Sequence, residues 1–172
     1  MKGHRAWHGG SIALCGGLAL SILGCAYSFT GASVPAHLKT IGIPLVDDQS
    51  GFGEPGLREK FTTDLTNLFI SDNSLEVADR KISDAVLEGV ITGVTDAPSV
   101  VEQGEQVRKR RVTISTRFVL KDMKLRRTMW EKTFSSWGDY DSGAGLSQRQ
   151  TGLQEAIRKL SEDILLDTVS GW

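Results

Sequence analysis

The chain has 172 residues, with 20 basic and 21 acidic side chains and a formal net charge of −1. This balance gives no general reason to expect nucleic-acid binding. The chain also carries no internal repeat, low-complexity tract or proline-rich linker, which excludes repeat and fibrous architectures.

The N-terminus has the pattern of a bacterial lipoprotein signal peptide. Lys2 and Arg5 form a basic start, and the uncharged run 11–23 (SIALCGGLALSIL) follows. This run is shorter than the roughly 20 apolar residues that a membrane-spanning helix needs. It ends in Ile22-Leu23-Gly24-Cys25, a lipobox, in which the cysteine is acylated and the chain is cut before it. The alternative is an ordinary secreted protein with a chance cysteine.

The lipobox predicts residues 1–24 as a removed signal peptide and residues 25–172 as one lipid-anchored periplasmic domain. The other cysteine, Cys15, follows the bulky Leu14 and lies inside the predicted signal peptide, so the mature domain has no pair for a disulfide. Three acyl chains on Cys25 would anchor the protein stably. Ala26 stands where an aspartate commonly marks inner-membrane retention, so we expect the outer membrane.

The first half of the domain predicts a strand, a helix and a second strand. Residues 40–46 (TIGIPLV) are an apolar run of strand length, and residues 47–55 are rich in turn formers. An amphipathic helix begins near Gly56 and stops at 71–74, as its helically spaced apolar residues indicate: Leu57, Phe61, Leu65, Leu68 and Phe69. Residues 75–78 are compatible with a short extra strand. Residues 85–94 predict a strand, with glycines at 89 and 93 where we expect close packing of a helix.

The second half predicts two strands and a long helix. Apolar and polar residues alternate over 111–120, which indicates a half-buried strand that begins near residue 107. Residues 129–137 form the next strand, joined by the charged connection 121–127, and 138–145 form a loop. A helix from 146 to about 169 carries the apolar stripe Leu153, Ile157, Leu160 and Ile164. The order β-α-β-β-β-α predicts an α+β two-layer sandwich. Its mixed, mainly antiparallel sheet has four or five strands, with both helices on one face.

Catalytic and metal-binding residues are scarce. His4 and His8 fall in the signal peptide, and we expect the remaining His37 to be solvated rather than a ligand or a base. There is no Gly-x-Ser-x-Gly turn, and residues 51–53 lack the lysine of a phosphate-binding loop. The acidic groups at 47–48 and 139–141 lie in predicted loops, where solvation is favoured over weak calcium binding. The sequence therefore predicts no enzyme, no metal and no cofactor.

Four consecutive cations, Arg108, Lys109, Arg110 and Arg111, open the strand that begins near residue 107. Alternation along a strand places Arg108 and Arg110 on one face and the other two on the opposite face, which Arg117 extends. Clustered guanidinium groups bind phosphates, and lipid A is an abundant phosphorylated ligand at the outer membrane. The alternative is a solvated strand end whose charge blocks edge pairing.

Several segments, in order, resemble the LptE family of lipopolysaccharide-assembly lipoproteins. They are residues 25–35 (CAYSFTGASVP), 39–44 (KTIGIP), 87–95 (LEGVITGVT), 111–118 (RVTISTRF), 130–141 (WEKTFSSWGDYD) and 163–172 (DILLDTVSGW). The resemblance covers nearly the whole mature chain. It implies a sheet with two helices and a non-catalytic plug inside the LptD β-barrel, which helps the barrel to assemble and binds lipopolysaccharide during export.

The resemblance also implies where lipopolysaccharide would bind. The family's lipid contacts are attributed to basic residues near the loop between its second and third strands and near the start of the last helix. Glu102 stands in the first region where a cation is expected, so the nearest substitutes are Arg108 to Arg111, and the second region offers Arg149. Two other classes remain open, a lipoprotein adaptor subunit of another envelope transport or secretion complex and, less favoured, an enzyme.

Overall fold

The computed structural model describes residues 34–101, 107–144 and 146–170, with the side chains of 100–108 and 144–146 left out of the description. The predicted signal peptide and Cys25 therefore lie outside the described residues, as do Glu102 and the side chain of Arg108. Among the described residues the chain forms six strands, two α-helices and one short 3₁₀ helix, Ser142–Ala144. The strands and α-helices are β1 (Thr40–Gly42), β2 (Asp47–Asp48), α1 (Leu57–Asp72), β3 (Glu76–Val77), β4 (Ala85–Val101), β5 (Val107–Asp122), β6 (Arg127–Asp141) and α2 (Leu146–Ser170).

Both helices form where the apolar spacing predicts them. In α1 the residues that recur every fourth position, Leu57, Phe61, Leu65 and Phe69, are buried, and they form one stripe along the helix. The helix ends because Asn73 adopts a left-handed conformation and its backbone N–H donates to the carbonyl of Phe69. In α2 the predicted apolar stripe is also buried.

The sheet is mixed and has more strands than the sequence predicts. The strand order is β3-β1-β4-β5-β6, and β2 pairs separately with β4. The predicted first strand, 40–46, is wrong in detail, because the chain leaves the sheet after Gly42 and returns only at Asp47–Asp48. The short extra strand at 75–78 is confirmed as β3. The pairings of β1 and β2 are parallel and very short, whereas β4, β5 and β6 form long antiparallel pairs.

The three long strands extend beyond their predicted ends. β4 continues to Val101, and β6 runs from Arg127 to Asp141. The predicted loop at 138–145 is therefore wrong in its first half, where the chain still pairs with β5. The physical reason is cross-strand pairing, which local composition does not report, since Val112 pairs with Gly138 and Arg111 with Asp139.

The core lies between the two helices and one face of the sheet. In β5 the alternating residues Val112, Ile114, Thr116, Phe118 and Leu120 are fully buried under the helices. Phe118 makes edge-to-face contacts with Phe61 of α1 and Phe134 of β6. The opposite face of the long strands, which we call the open face, has no helix over it in the described part of the chain.

Two glycines have different roles from those that the sequence predicts. The ring of Phe118, rather than a helix, covers Gly89, and a Cβ at Gly89 would lie 2.9 Å from Cδ1 of that ring. Nothing lies within 4 Å of a Cβ placed at Gly93. The close approach of a helix occurs instead at Gly138 of β6, which faces Gly152 of α2.

Candidate binding surface at the far end of the sheet

The basic cluster, Arg108 to Arg111, lies at one end of the sheet, which we call the far end. It opens β5, and β5 is a central strand paired with β4 on one side and β6 on the other. Because β5 is not an edge strand, the part of the alternative in which these charges block an exposed sheet edge is wrong, whereas a solvated strand end stays open. The first turn of α2, which holds Arg149, follows β6 at the same end of the sheet.

Arg110 lies on the helix-facing side and is tied to two neighbouring strands. Its Nε donates to Oδ1 of Asp96 at 2.9 Å and to the Tyr140 hydroxyl at 3.0 Å, and Nη2 donates to the backbone carbonyl of Asp96. The Tyr140 hydroxyl in turn donates to Oδ2 of Asp96 at 2.6 Å. Hydrogen bonds to Tyr140 and Asp96 raise the pKa of Arg110, and burial followed by the bond to Asp96 raises the pKa of Tyr140.

Arg111 lies on the open face and forms a two-pronged ion pair with Asp139. Its Nε and Nη2 donate to the two carboxylate oxygens at 2.8 and 2.9 Å. These hydrogen bonds lower the pKa of the Asp139 carboxyl, because they outweigh desolvation, which raises it. The charges of Lys109 and Lys159 act in the same direction as the hydrogen bonds. The guanidinium carbon of Arg111 also lies 3.6 Å from the centre of the Trp137 ring.

Trp137 is 41% exposed and contacts a second cation from α2. Nζ of Lys159 lies 4.1 Å from the ring centre and donates to the Trp137 carbonyl at 3.1 Å. Lys109, also exposed, has no ion-pair partner among the described side chains. The open face at the far end therefore presents an aromatic ring between cations, with two acidic groups among them: Asp139, and the exposed Asp141 opposite Lys109 in the strand pair.

Arg149 belongs to a separate group in the described structure. It forms an ion pair with Glu54, whose side chain is only 4% exposed, and Gln150 donates to the same carboxylate at 2.5 Å. The guanidinium also lies 5.5 Å from the ring centre of Phe52. No described hydrogen bond or ion pair connects Arg149 with the basic cluster, so the predicted site residues share an end of the molecule without forming one described constellation.

Sequence reasoning missed the acidic partners of these cations. Asp96, Asp139 and Glu54 each accept from one of the predicted arginines. Asp139 follows the predicted strand 129–137 directly, but because we predict a loop at 138–145, the sequence analysis does not place it opposite Arg111. The partners matter chemically because each guanidinium is oriented and partly neutralised. Nη1 of Arg110 and Nη1 of Arg111 have no described partner and remain available for an anion.

The described residues contain no group of three or more metal-ligating side chains. His37, which we expected to be solvated, instead hydrogen bonds to the buried Asp122 at 2.7 Å. None of the helices in the described ranges is long and apolar enough to cross a membrane.

The comparisons with known proteins concern both sequence and fold. The family model LptE, described as lipopolysaccharide-assembly, matches residues 38–168. No curated protein matches the sequence significantly.

Three solved structures have a similar fold. Protein XCC0632 from Xanthomonas campestris has a TM-score of 0.57 at 13% identity, covering 80% of this chain and 87% of its own. Hypothetical protein CT253 from Chlamydia trachomatis has a TM-score of 0.56 at 9% identity, covering 74% and 94%. A minor lipoprotein from Acinetobacter baumannii has a TM-score of 0.50 at 11% identity, covering 80% and 94%. At these identities the likeness concerns the fold alone.

Proposed function

Because the chain belongs to the LptE lipopolysaccharide-assembly family, we propose that it occupies the lumen of an LptD-type β-barrel, helps that barrel to assemble and aids lipopolysaccharide transport into the outer leaflet. The family is one of non-catalytic lipoproteins, so the chain is not an enzyme. Membership also supports the coarser role of an outer-membrane lipoprotein. The observation that carries the proposal is the match over residues 38–168, which spans nearly all of the described fold.

The proposed anchor is an acylated Cys25, exposed when residues 1–24 are removed. The motif that supports it is Ile22-Leu23-Gly24-Cys25. Mass spectrometry of the N-terminal peptide of the purified protein tests this, because acylation at Cys25 adds a large mass to a peptide that begins at that residue. A peptide that begins elsewhere, or an unmodified Cys25, contradicts the anchor without bearing on the fold.

The proposed partner is tested by a mild-detergent pull-down of the tagged, lipidated protein from outer membranes, followed by mass spectrometry of the bound chains. A plug predicts a β-barrel of the LptD type in roughly equal amount. Recovery of a different envelope transporter or secretion complex would favour the adaptor alternative, and a preparation without any barrel would reject the plug.

The proposed lipopolysaccharide contacts are Arg108, Lys109, Arg110, Arg111 and Arg149. Lys109 forms no ion pair among the described side chains, although Asp141 lies opposite it in the strand pair, and Nη1 of Arg110 and of Arg111 has no described partner. On the open face a lipid A phosphate would bridge Lys109 and Arg111, since ammonium and guanidinium groups both bind phosphate oxygens. Arg110 would contact the ligand from the helix-facing side of the sheet. Asp96 and Asp139 would hold the arginines in place before the ligand arrives.

The ion pairs determine which variants test these contacts cleanly. Arg110→Glu would place a carboxylate beside Asp96, so loss of function could come from misfolding. Arg108→Gln with Lys109→Gln removes two positive charges, and Lys109 forms no ion pair with a described carboxylate. We expect weaker lipopolysaccharide binding and slower surface export. The matched control, Lys60→Gln with Lys132→Gln, removes two charges that lie outside the basic cluster and its face, at exposed ion pairs with Asp64 and Asp167, and should leave both unchanged. Equal behaviour of the two double variants would reject the basic cluster as the lipid contact and leave the plug role standing.

A further inference from the structure

A second surface lies at the opposite end of the sheet from the basic cluster. It consists of two adjacent turns, residues 80–82 before β4 and residues 123–127 between β5 and β6, and we call it the hairpin tip. The two turns are held together because the backbone N–H of Met123 donates to the carbonyl of Asp84 at 2.8 Å. Strand register places them at the same end, since Ala85 pairs with Asp122.

The hairpin tip concentrates exposed apolar side chains. Ile82 is 77% exposed, Met123 47% and Leu125 56%. These are three of the seven large hydrophobic residues that are exposed in the described structure. Single exposed hydrophobics are normal on a soluble surface, but three on two joined turns, next to cations, form a patch that calls for a partner.

The same tip carries positive charge that is not neutralised within the described structure. Lys81, Arg126 and Arg127 are exposed and form no ion pair with any described carboxylate. The neighbouring cations Arg80 and Lys121 share Glu88. The tip therefore combines apolar side chains with three uncompensated cations and one uncompensated acid, Asp79, whose carbonyl closes the first turn. The positive charge remains in excess.

The tip is also rigid. Lys124 bridges the two turns, since its Nζ lies 2.8 Å from Asp84 and donates to the carbonyl of His37 at 2.6 Å. The backbone N–H of Leu125 donates to the buried Asp122 at 2.8 Å, and His37 bonds to the same carboxylate. Binding of the tip to a partner therefore does not require a further loss of backbone entropy.

We propose that, before the domain occupies a barrel, the hairpin tip of the lipoprotein docks on the surface of a phospholipid bilayer rich in anionic headgroups, with Ile82, Met123 and Leu125 entering the interface. Cations near an anionic leaflet attract it, and apolar side chains between them enter the boundary of headgroups and acyl chains. The described contacts of the tip support a lipid surface over a protein groove, because the apolar residues protrude on turns and are ringed by unpaired cations.

The start of the domain supports the same orientation. His37 is bound to the tip, so the chain enters the domain at this end. Only eight residues separate Cys25 from Val34, which span at most about 30 Å when fully extended. The proposed anchor would therefore keep the tip near the bilayer. The basic cluster lies about 35 Å away, since the strand takes eleven residue steps from Arg111 to Asp122.

The test uses the full lipidated protein with an environment-sensitive fluorophore on Leu125→Cys, reconstituted into vesicles. The mature chain has Cys25 as its only cysteine, so labelling is specific once that thiol is acylated. In vesicles of phosphatidylcholine with one quarter phosphatidylglycerol, we expect a blue-shifted emission that nitroxide lipids quench. A label on Thr151→Cys, an exposed residue of α2 at the far end, should show neither change.

Charge reversal tests the electrostatic part of the proposal. Arg126→Glu with Arg127→Glu should lower the ratio of docked to undocked protein by at least about 25-fold, because the loss of each cation near an anionic surface alone removes about fivefold and the new carboxylates are repelled by that surface. The matched control, Lys60→Glu with Arg117→Glu, changes the net charge equally away from the tip and should dock normally. Circular dichroism verifies that all four variants fold.

Three results would overturn the proposal. They are no blue shift at residue 125, a blue shift of equal size in pure phosphatidylcholine that survives charge reversal, and a blue shift that requires a β-barrel partner in the vesicle. The last would mean that the tip binds protein. The outcome is separable from the proposed function, because the pull-down and the N-terminal mass report on the plug and the anchor. If Cys25 carries no acyl chain, Cys25 is replaced by alanine and the labelled chain is added to preformed anionic vesicles. A blue shift at residue 125 then supports the docking proposal, and its absence overturns it.

Discussion

Substitution of Gly138 by alanine tests how β6 and α2 pack at the far end. A Cβ at this position would meet the carbonyl oxygen of Gly152 well inside contact distance. It would also lie 2.8 Å from the carbonyl carbon of Gly152 and 3.0 Å from Cβ of Glu155. The first two are backbone atoms of α2, so no side-chain rotation relieves the clash and the helix itself must move.

We estimate a loss of about 3 kcal/mol in the free energy of unfolding, at the upper end of what inserted methyl groups cost in a packed interior. With a slope of about 2 kcal/mol per molar urea, the midpoint of urea unfolding falls by roughly 1.5 M. Tryptophan fluorescence of the mature protein in mild detergent measures it. The matched control is Gly93→Ala, which meets nothing within 4 Å and should gain about 0.5 kcal/mol through the unfolded chain. A midpoint for Gly138→Ala within 0.3 M of the unmodified protein, on the order of 0.6 kcal/mol at that slope, would falsify this account of the helix–strand contact.

Three further predictions concern the core and the ion pairs. Phe118→Ala should lose about 3–5 kcal/mol of unfolding free energy in urea titrations, because the fully buried ring leaves a cavity; a loss below about 1 kcal/mol would contradict its central place. Arg149→Gln should lower the free energy of unfolding by about 2 kcal/mol, because the buried Glu54 is left without its cation. Adding Glu54→Gln should restore part of that stability. A double variant that is less stable than the single variant would refute the pairing. Hydrogen bonds from Lys124, then from the backbone of Lys39, lower the pKa of the Asp84 carboxyl. The stability that the Asp84 carboxylate contributes is present above its unfolded pKa of about 3.8, and it is lost as the pH falls through the lower folded value. Below about pH 4 the unmodified protein should therefore lose its higher stability relative to Asp84→Asn. A stability difference that is constant from pH 7 to pH 2.5 would exclude this linkage.

Much of the fold could be predicted from periodicity. The buried stripe of α1, the extent of α2 and the alternation in β5 all follow from the spacing of apolar residues, because a helix and a half-buried strand expose opposite faces at fixed periods. The very short strands β1, β2 and β3 could not be placed in this way. Two or three residues show no period, and their pairing depends on neighbours far away in the chain.

The candidate site was predicted only in part. The basic cluster and Arg149 were found because cations stand out in a sequence, but their acidic partners were not. Arg110 meets Asp96, and Arg149 meets Glu54 across 95 positions of sequence. Such pairs depend on strand register and on the position of a loop against a helix. The local composition of the chain reveals neither of these.

The sequence by itself determined the segments that bury a face and the location of the positive charge along the chain, since each is a property of neighbouring residues. It also predicts a signal peptide. The tertiary structure alone decided which of those charges are neutralised, and at which end of the sheet each one lies. It also decided that exposed Ile82, Met123 and Leu125 share one surface with unpaired cations. The physical reason is that strand pairing brings together residues that are distant in the chain, and charge and exposure act through distance in space.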